Sequence, residues 1–343
     1  MPNGNEIKIY LAPMEGVIDP LTREHFSQVN CFYKMVTEFV RVTQTQLPEK
    51  VFYRFSPELY NGGKTTNGTK VFVQLLGSDP ELVGENALLA SQLGAPGIDL
   101  NFGCPAKTVN RHDGGATLLK NPERVFKVIA AVRRWVPQNI PVTAKVRLGF
   151  DNKDLCEEIA LAVEAGGANS LTIHARTKTE GYQPPAHWEY IAKMKAVVSI
   201  PIVANGDIWT YQDFLRCQEI TGCTEFALGR AAMASPFLAC EILQQAPIDH
   251  HKKTFLFVFE YLLKAHEAYG EMYALRRAKQ WYRFIQQVHP WATIIFNKIK
   301  RVESFPLVLQ IFSEYCDFVG LAYNVELPVM SYPFNTLGLP FNS

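Results

Sequence analysis

The residue with the clearest capacity for chemistry is Cys104, in the run Asp99-Leu100-Asn101-Phe102-Gly103-Cys104-Pro105. It follows a predicted strand by three residues, on a loop opened by Gly103 and Pro105. An unperturbed thiol has a pKa of about 8.5 and is therefore mostly protonated at pH 7. We predict that Cys104 donates a proton, whereas a buried and inert role is expected for the other cysteines: Cys31, Cys156, Cys217, Cys223, Cys240 and Cys316.

Polar side chains recur at the ends of consecutive predicted strands. Because side chains alternate along a strand, Thr143, Lys145 and Arg147 share one face. The same alternation groups Gln74 with Phe72, Asp99 with Asn101, and Thr172 with His174 and Arg176. Lysine and arginine are rarely buried without a partner, so these residues either form internal salt bridges or face an anionic or electron-rich ligand. The clustering favours the ligand.

The last two predicted strands end in glycine-containing turns, Ala204-Asn205-Gly206-Asp207 and Leu228-Gly229-Arg230. Glycine lets backbone N–H groups approach a ligand, and this is the usual phosphate corner of a barrel. Arg230 can add a charge-assisted contact. An ordinary turn is the alternative for the Gly-Arg pair alone. A phosphate here, with Lys145, Gln74 and His174 across the mouth, outlines FMN.

The elements that position these residues are short β-type runs alternating with helical patterns. The runs are 7–12, 33–37, 71–76, 97–101, 142–148, 170–174, 201–204 and 225–229. Two helix starts are marked, by Asn121 before Pro122 and by Thr210. Eight strands indicate an α/β fold, a (β/α)8 TIM barrel. A doubly wound open sheet is disfavoured, since no glycine-rich dinucleotide fingerprint follows the first strand.

From about residue 250 helical periodicity replaces this alternation. We therefore predict three parts: a catalytic barrel domain at 1–245, a C-terminal all-helical domain at 246–320, and a tail of unknown structure at 321–343. The helical part contains a run of cations without any acidic residue: Arg276, Arg277, Lys279, Arg283, Lys298, Lys300 and Arg301. Trp281, Tyr282 and Trp291 interleave with them. The run is either an RNA-binding surface or a solvated helix face, and Trp281 and Phe284 are expected to be mostly core.

Composition narrows the functional classes. The 343 residues are 48% hydrophobic and 20% charged, which excludes a disordered chain, and the formal net charge is only +1. Seven irregularly spaced cysteines do not predict a disulfide framework. The sequence contains no C-x-x-C pair, which would have indicated a zinc site. We see neither a signal peptide nor an apolar run long enough to span a membrane. The expectation is a cytoplasmic protein without a metal or a membrane partner.

Taken together, the motifs resemble the tRNA-dihydrouridine synthase family, and most of all its bacterial subfamily C, which acts on uridine 16 in the D-loop. The specific runs are Ala12-Pro13-Met14-Glu15-Gly16-Val17, Thr37-Glu38-Phe39-Val40, Val73-Gln74-Leu75-Leu76-Gly77, Asp99 to Lys120 with Gly114-Gly115-Ala116, Lys145-Val146-Arg147, His174-Ala175-Arg176-Thr177, Ala204-Asn205-Gly206-Asp207 and Gly229-Arg230. They span roughly residues 7 to 240 in the family's order.

The resemblance implies an FMN barrel in which NADPH reduces the flavin, the flavin passes a hydride to C6 of a uracil, and Cys104 protonates C5. The implied cofactor residues are Pro13, Met14, Glu15, Gln74, Lys145, His174, Asn205, Gly206, Asp207, Gly229 and Arg230. The implied substrate residues are Asn101, Arg147 and Arg176, with Arg276, Arg277 and Lys279 at the tRNA surface. The implied partner is tRNA, bound at its D-loop, and we expect a monomer.

Two other functions stay open at this point. A dihydroorotate or dihydropyrimidine dehydrogenase would use a similar flavin site on a free pyrimidine, but a free base needs no basic helical domain. A non-catalytic RNA-binding protein on a barrel scaffold would not need Cys104, Lys145 and His174 together.

Overall fold

A computed structural model of the chain describes residues 6–111, 113–244 and 249–318. Within these ranges the contacts divide into two compact units, one comprising the described residues of 6–232 and residues 238–244, the other residues 233–237 and 249–318. The assignment of a catalytic and an RNA-binding role to the two parts stays a prediction, and the tail at 321–343 lies outside the described residues.

The first unit is built on a closed parallel barrel. Its strands are β1 Lys8–Leu11, β2 Lys34–Val36, β3 Val40–Arg41, β4 Lys70–Leu76, β5 Ile98–Asn101, β6 Val142–Arg147, β7 Ser170–His174, β8 Ile202–Asn205 and β9 Glu225–Leu228. β1 pairs with both β2 and β9, and β2 pairs with β4, which closes the ring. The predicted TIM barrel is confirmed, and the open sheet is excluded.

Nine strands still make an eight-position barrel, because β2 and β3 share one position. Both pair in parallel with β4, Lys34 opposite Lys70 and Val40 opposite Leu75. The predicted second strand at 33–37 was too long at both ends. The chain leaves the ladder after Val36 and rejoins it at Val40.

Helices cover the barrel strands in the way that the sequence predicts. Those before residue 245 are α1 Pro20–Ser27, α2 Glu49–Phe55, α3 Pro80–Gln92, α4 Lys107–Arg111, α5 Pro122–Trp135, α6 Cys156–Ala165, α7 Trp188–Ala196, α8 Tyr211–Thr221, α9 Arg230–Ala234 and α10 Leu238–Gln244. Short 3-10 turns lie at Pro57–Asn61 and Gly115–Lys120. Asn121 caps α5 by accepting from the Glu123 N–H. Thr210 and Asp213 form a capping box on α8.

The second unit contains four helices in its described part: α11 His250–Tyr269, α12 Glu271–Ile285, α13 Pro290–Ile299 and α14 Phe305–Phe318. Trp281 is fully buried, as predicted, and its Nε1 donates to the Met233 carbonyl at 2.8 Å. Phe284 is only half-buried. Aromatic rings are prominent among the buried residues of α11 and α12, and rings of this size bury large apolar areas.

The cysteines depart from the sequence-based expectation at one place. Cys31 and Cys240 form a disulfide that joins positions 209 residues apart, with Cα atoms 5.3 Å from each other. Both were expected to be inert thiols, and Cys31 is only half-buried. The five other cysteines are free and buried. The sequence gives no sign of this pair, because only the closed barrel brings α10 next to the turn that follows α1.

None of the helices in the described ranges combines the length and the apolar composition that a membrane crossing requires.

Candidate active site

Barrel register gathers the predicted residues at the C-terminal strand ends. Asp99 lies opposite Gln74 on one side and Thr143 on the other. One layer further towards the mouth, Asn101 lies opposite Lys145. In the layer beyond that, the aligned positions are Arg147, His174, Asn205 and Ala227. The alternation of side chains predicts that these residues share the inner face of the barrel, and the structure places them there, layer by layer.

A buried hydrogen-bonded chain forms the floor of the site. Gln74 Nε2 donates to Asp99 Oδ2 at 2.7 Å, and Asn101 Nδ2 donates to Gln74 Oε1 at 2.9 Å. Thr143 Oγ1 donates to Asp99 Oδ1 at 2.5 Å. Burial raises the pKa of the Asp99 carboxyl, and the hydrogen bonds from Gln74 and Thr143 oppose that rise. Gln74 thus has one amide hydrogen left for a ligand.

Asn101 shapes the cysteine loop. Its Oδ1 accepts from the backbone N–H groups of Gly103 and Cys104, each at 2.9 Å. The loop is closed from the other side, where the Cys104 carbonyl accepts from Asn110 Nδ2 at 2.9 Å and from the Ala116 N–H at 3.3 Å. The Asn101 carboxamide therefore positions the loop, and its role toward a uracil stays a prediction.

Gly115 is required beside this loop. Its φ is +59°, in the left-handed region, and a Cβ there would lie 3.0 Å from the Cys104 carbonyl oxygen and 3.1 Å from Cys104 Cβ. Any other residue would be strained and would press on the cysteine.

Cys104 is only 6% exposed and packs with Leu76 and Val109. Burial, and to a smaller extent the charge of Glu15, raises the pKa of its thiol above the ordinary value, while the backbone N–H of Ala106 and the charges of Arg147 and Lys145 oppose the rise. The thiol is therefore protonated at neutral pH, as a proton donor must be.

Lys145 is half-buried at the mouth of the barrel. Burial, and after it the charge of Arg147, lowers the pKa of its ammonium to about 8. No hydrogen bond or ion pair reaches Lys145 Nζ from any residue in the described ranges, although Asp99 and Cys104 interact with it electrostatically. A half-buried cation in this state is suited to an electron-rich ligand edge.

The two inward arginines of this face hold loops. Arg147 donates from Nε to the Gly103 carbonyl at 2.8 Å, and from Nη1 to the carbonyls of Thr177 and Gly181 at 3.0 and 2.8 Å. It thereby ties the cysteine loop to the loop that follows β7. Arg176 is fully buried, donates to the Gln183 carbonyl, and forms an ion pair with Asp207.

His174 lies at the end of β7 and is buried. Burial, followed by the charges of Arg147, Lys145, Arg176 and Arg230, keeps the pKa of its imidazole well below the ordinary value. The ring is therefore neutral at pH 7 and can donate one hydrogen bond and accept another.

The turn after β8 and the end of β9 form a second cluster. Asn205 Nδ2 donates to the Ala227 carbonyl at 2.7 Å, which joins the two strands. Asp207 pairs with Arg176 and, at 3.4 Å, with Arg230. Gly206, with φ +123°, makes the turn. Asp207 is therefore engaged with arginines, and a direct contact between its carboxylate and a phosphate would be repulsive.

The loop after β1 carries the remaining predicted residues. Pro13 and Met14 are half-buried, and Glu15 is exposed. A Cβ at Gly229 would lie 3.4 Å from Met14 Sδ, so the ends of β1 and β9 meet at this point. Glu38 accepts a hydrogen bond from the Gly16 N–H and anchors the loop.

In the helical unit, neighbouring cations have different environments. Arg276 is exposed and Lys279 is half-buried. Arg277 is 5% exposed, and its Nε donates to Tyr261 Oη at 2.7 Å. Nη1 donates to Gln280 Oε1. The expected basic surface therefore loses Arg277, because this side chain lies on the buried face of α12.

Two aromatic residues near the site are absent from the sequence-based set. Tyr182 lies with its ring centroid 5.3 Å from Arg147 Cζ and 4.7 Å from Arg230 Cζ. The centroid of the Trp209 ring lies 5.1 Å from Arg230 Cζ. The sequence could have indicated Trp209, because it lies directly before the Thr210 cap and two residues after Asp207. Tyr182 is set in a loop and gave none.

Among the described residues, no group of three or more histidine, cysteine or acidic side chains is arranged to hold a metal ion.

Comparison with solved structures supports the barrel. The complex of 2-naphthoyl-CoA reductase with 2-naphthoyl-CoA matches with a TM-score of 0.55 and 12% identity, covering 71% of this chain and 51% of that one. Histamine dehydrogenase from Rhizobium sp. 4-9 matches with a TM-score of 0.51 and 14% identity, covering 69% and 46%. At such low identity these similarities concern the fold alone.

Comparison with sequences is more specific. The family model described as dihydrouridine synthase (Dus) matches residues 10–305. The tRNA-dihydrouridine(16) synthase of Shewanella oneidensis is 45% identical over 294 residues, covering 86% of this chain and 93% of the relative. The enzyme of the same name from Vibrio vulnificus is 44% identical over 321 residues, covering 92% and 100%. The chain therefore belongs to the dihydrouridine synthase family of flavin-dependent oxidoreductases.

Proposed function

We propose that this protein reduces a uridine of tRNA to 5,6-dihydrouridine, with FMN as its bound flavin and NADPH as the reductant. The curated relatives are named for position 16, and we assign the same D-loop uridine to this chain. The observation that carries the proposal is the placement of Cys104, whose backbone N–H is held by Asn101 at 2.9 Å, next to the strand position that Lys145 occupies opposite Asn101.

The residues present fit a flavin mononucleotide. Lys145 offers a half-buried ammonium without a hydrogen-bonded partner in the described ranges, as the electron-rich edge of a flavin ring requires. The neutral His174 supplies a further polar side chain at the same mouth, and Gln74 supplies one from the floor below it. Asn205, Gly206, Gly229 and Arg230 would hold the ribityl chain and the phosphate, with Pro13, Met14 and Glu15 beside the ring.

When bound, FMN supplies the hydride for C6 of the uracil and is itself reduced by NADPH. The protein supplies the proton. Cys104 Sγ gives its hydrogen to C5 and is left as a thiolate, which regains a proton from solvent. Arg147 and Lys145 carry positive charge close to this sulfur, so the thiolate forms more readily than burial alone would allow.

The target uridine must leave its stack to reach the barrel mouth. We assign tRNA binding partly to the helical unit, where Arg276 is exposed and Lys279 half-buried. Arg277 is removed from this assignment, since its guanidinium is buried against Tyr261 and Gln280. We further propose a cytoplasmic, monomeric enzyme.

The test is the visible absorption spectrum of the purified protein under anaerobic conditions. A flavin band that bleaches with NADPH and returns on addition of unmodified tRNA is expected, with dihydrouridine found at position 16 by RNA mass mapping. A flavin that bleaches but returns only with free orotate would favour a free-pyrimidine reductase. A protein that binds no FMN, even after reconstitution, would contradict the enzymatic function.

A further inference from the structure

The guanidinium of Arg230 lies close to two aromatic rings. Its Cζ is 4.7 Å from the centroid of the Tyr182 ring and 5.1 Å from the centroid of the Trp209 ring. Both distances are within the range of a cation–π interaction. Arginine has many rotamers, and contacts of this kind reduce the freedom that the side chain must lose when it binds an anion.

Asp207 connects one of these rings to the arginine. Trp209 Nε1 donates to Asp207 Oδ1 at 3.3 Å, and Arg230 Nη2 lies 3.4 Å from the same oxygen. The other oxygen pairs with the buried Arg176. Asp207 has φ +52°, which a residue other than glycine rarely adopts. The carboxylate is therefore shared among three donors, and only a long contact goes to Arg230.

The backbone at Trp209 is fixed by the helix that follows it. Asp213 Oδ2 accepts from the backbone N–H of Trp209 at 3.1 Å, and the same carboxylate closes the capping box with Thr210. A second indole, that of Trp188, donates to the Gly206 carbonyl at 2.8 Å. The turn that carries Asp207 and Trp209 is therefore held on both sides.

We propose that Trp209 is a positioning residue that holds the Arg230 guanidinium toward the flavin phosphate and so sets the preference of the protein for FMN over riboflavin. Without the indole, Asp207 Oδ1 loses one donor and turns to Arg230, which draws the guanidinium away from a phosphate. The residues assigned to the flavin ring, Lys145 and His174, do not contact Trp209 in any described interaction. The inference rests on the proposed function, in which Arg230 binds the phosphate.

The experiment measures dissociation constants of FMN and riboflavin for the full-length apoprotein by fluorescence titration. Trp209→Ala is expected to weaken FMN about tenfold, the equivalent of one cation–π contact. Riboflavin affinity should change less than about twofold, since it has no phosphate for Arg230. Trp209→Phe keeps a ring face but loses the donor to Asp207, so about a threefold loss of FMN is expected. Trp135→Ala, on α5, is the matched control and should alter neither constant.

An unchanged FMN constant in Trp209→Ala, or equal losses for both flavins, overturns the inference. Arg230→Ala separates this result from a failure of the proposed function. If Arg230→Ala leaves the ratio of the two constants unchanged, Arg230 is not the phosphate ligand. If Arg230→Ala weakens FMN alone while Trp209→Ala does not, only the role of Trp209 fails. Should Trp209→Ala not fold, the double-mutant cycle of Trp209→Phe with Arg230→Ala decides, because additive losses contradict positioning.

Discussion

Asn101 Oδ1 lies 2.9 Å from the backbone nitrogen of Cys104 and accepts its hydrogen bond. The strand end and the reactive loop are thus joined by a side chain, and the same oxygen also accepts from Gly103. A buried N–H group that loses its acceptor costs about 1–3 kcal/mol. The position of the thiol therefore depends on Asn101.

Replacing Asn101 tests this dependence. Asn101→Ala should lower single-turnover uridine reduction by about 10- to 100-fold, because a misplaced donor costs that much, while FMN stays bound. Asn101→Asp keeps the accepting oxygen but loses the donor to Gln74 and adds a negative charge, so its activity should fall between those of Asn101→Ala and the wild type. The rate at which a small alkylating reagent modifies Cys104 should rise in the alanine variant. Unchanged activity in Asn101→Ala would assign the loop geometry to Asn110 and Ala116 instead.

Cys104 itself is tested by removing the proton donor. Cys104→Ala should keep FMN but reduce uridine turnover by about 10²- to 10⁴-fold, the usual contribution of a general acid. Cys156→Ala, a buried cysteine on α6, is the matched control and should keep its turnover. Flavin reduction by NADPH should be unaffected in both variants, as followed by stopped-flow absorbance. Full turnover in Cys104→Ala would remove this residue from the proton-donor role.

Lys145 predicts a pH dependence of flavin binding. Its pKa is lowered to about 8, so the ammonium is charged below that pH and neutral above it. The affinity of the apoprotein for FMN should therefore fall as pH rises through about 8. Lys145→Met should flatten this profile, and Lys145→Arg should keep the affinity to higher pH because arginine stays charged. A profile of the same shape in Lys145→Met would contradict the assignment.

The same shift predicts the sign of a stability change. The folded pKa lies below the unfolded value of about 10.4, so the unfolded chain binds more protons between the two pKa values. The Lys145 contribution should therefore make the apoprotein more stable as pH rises from about 8 to about 10.4. The difference in unfolding free energy between the wild type and Lys145→Met, measured by denaturant titration across this range, isolates that contribution. An opposite slope would contradict it.

The two adjacent arginines of α12 should behave differently. Arg276→Ala removes an exposed cation and should weaken tRNA binding, lowering the salt slope of the affinity by about 1 with little change in stability. Arg277→Ala removes the donor to Tyr261 and should destabilise the helical unit by about 1–3 kcal/mol. Filter binding at several salt concentrations and urea titration measure the two effects. Equal stability losses in both variants would contradict the contrast in burial.

The Cys31–Cys240 disulfide predicts a response to reductant. Native disulfides usually contribute about 2–5 kcal/mol to the free energy of unfolding, and this one closes a long loop. Dithiothreitol should therefore lower the melting temperature of the oxidised protein, and Cys31→Ser should lower it to the same value and then be insensitive. Mass spectrometry without reduction checks the bond directly. Two free thiols in air-oxidised protein would show that the pair does not form.

Local sequence determined most of the barrel. Alternating apolar runs, the Asn121 and Thr210 caps and the glycine turns each act over a few residues, so the sequence alone predicts eight strand positions and two helix starts. The clustering of Gln74, Asn101, Lys145 and His174 follows from the same alternation, because parallel strands in register bring equivalent ends together. The motif around Cys104 is a continuous run of residues, so its resemblance to a family is likewise visible in the sequence alone.

One error could have been avoided from the sequence. The buried residues of α12 include Ala274, Ala278, Trp281 and Ile285, and Arg277 falls three residues after the first and four before the third. Helical spacing therefore places it on the apolar face. That Tyr261 meets it there is a contact between two helices, which periodicity cannot supply.

Tertiary structure alone decided the remaining contacts. Cys31 and Cys240 meet because the barrel closes, and Arg230 meets Trp209 because β8 and β9 are neighbours in the sheet. The protonation states of Cys104, Lys145 and His174 depend on burial and on charges brought in from other strands. Desolvation and long-range pairing arise only when distant segments pack together. The sequence by itself thus determined which residues stand at the barrel mouth, and the fold decided which of them hold one another in place and which keep polar atoms available for a ligand.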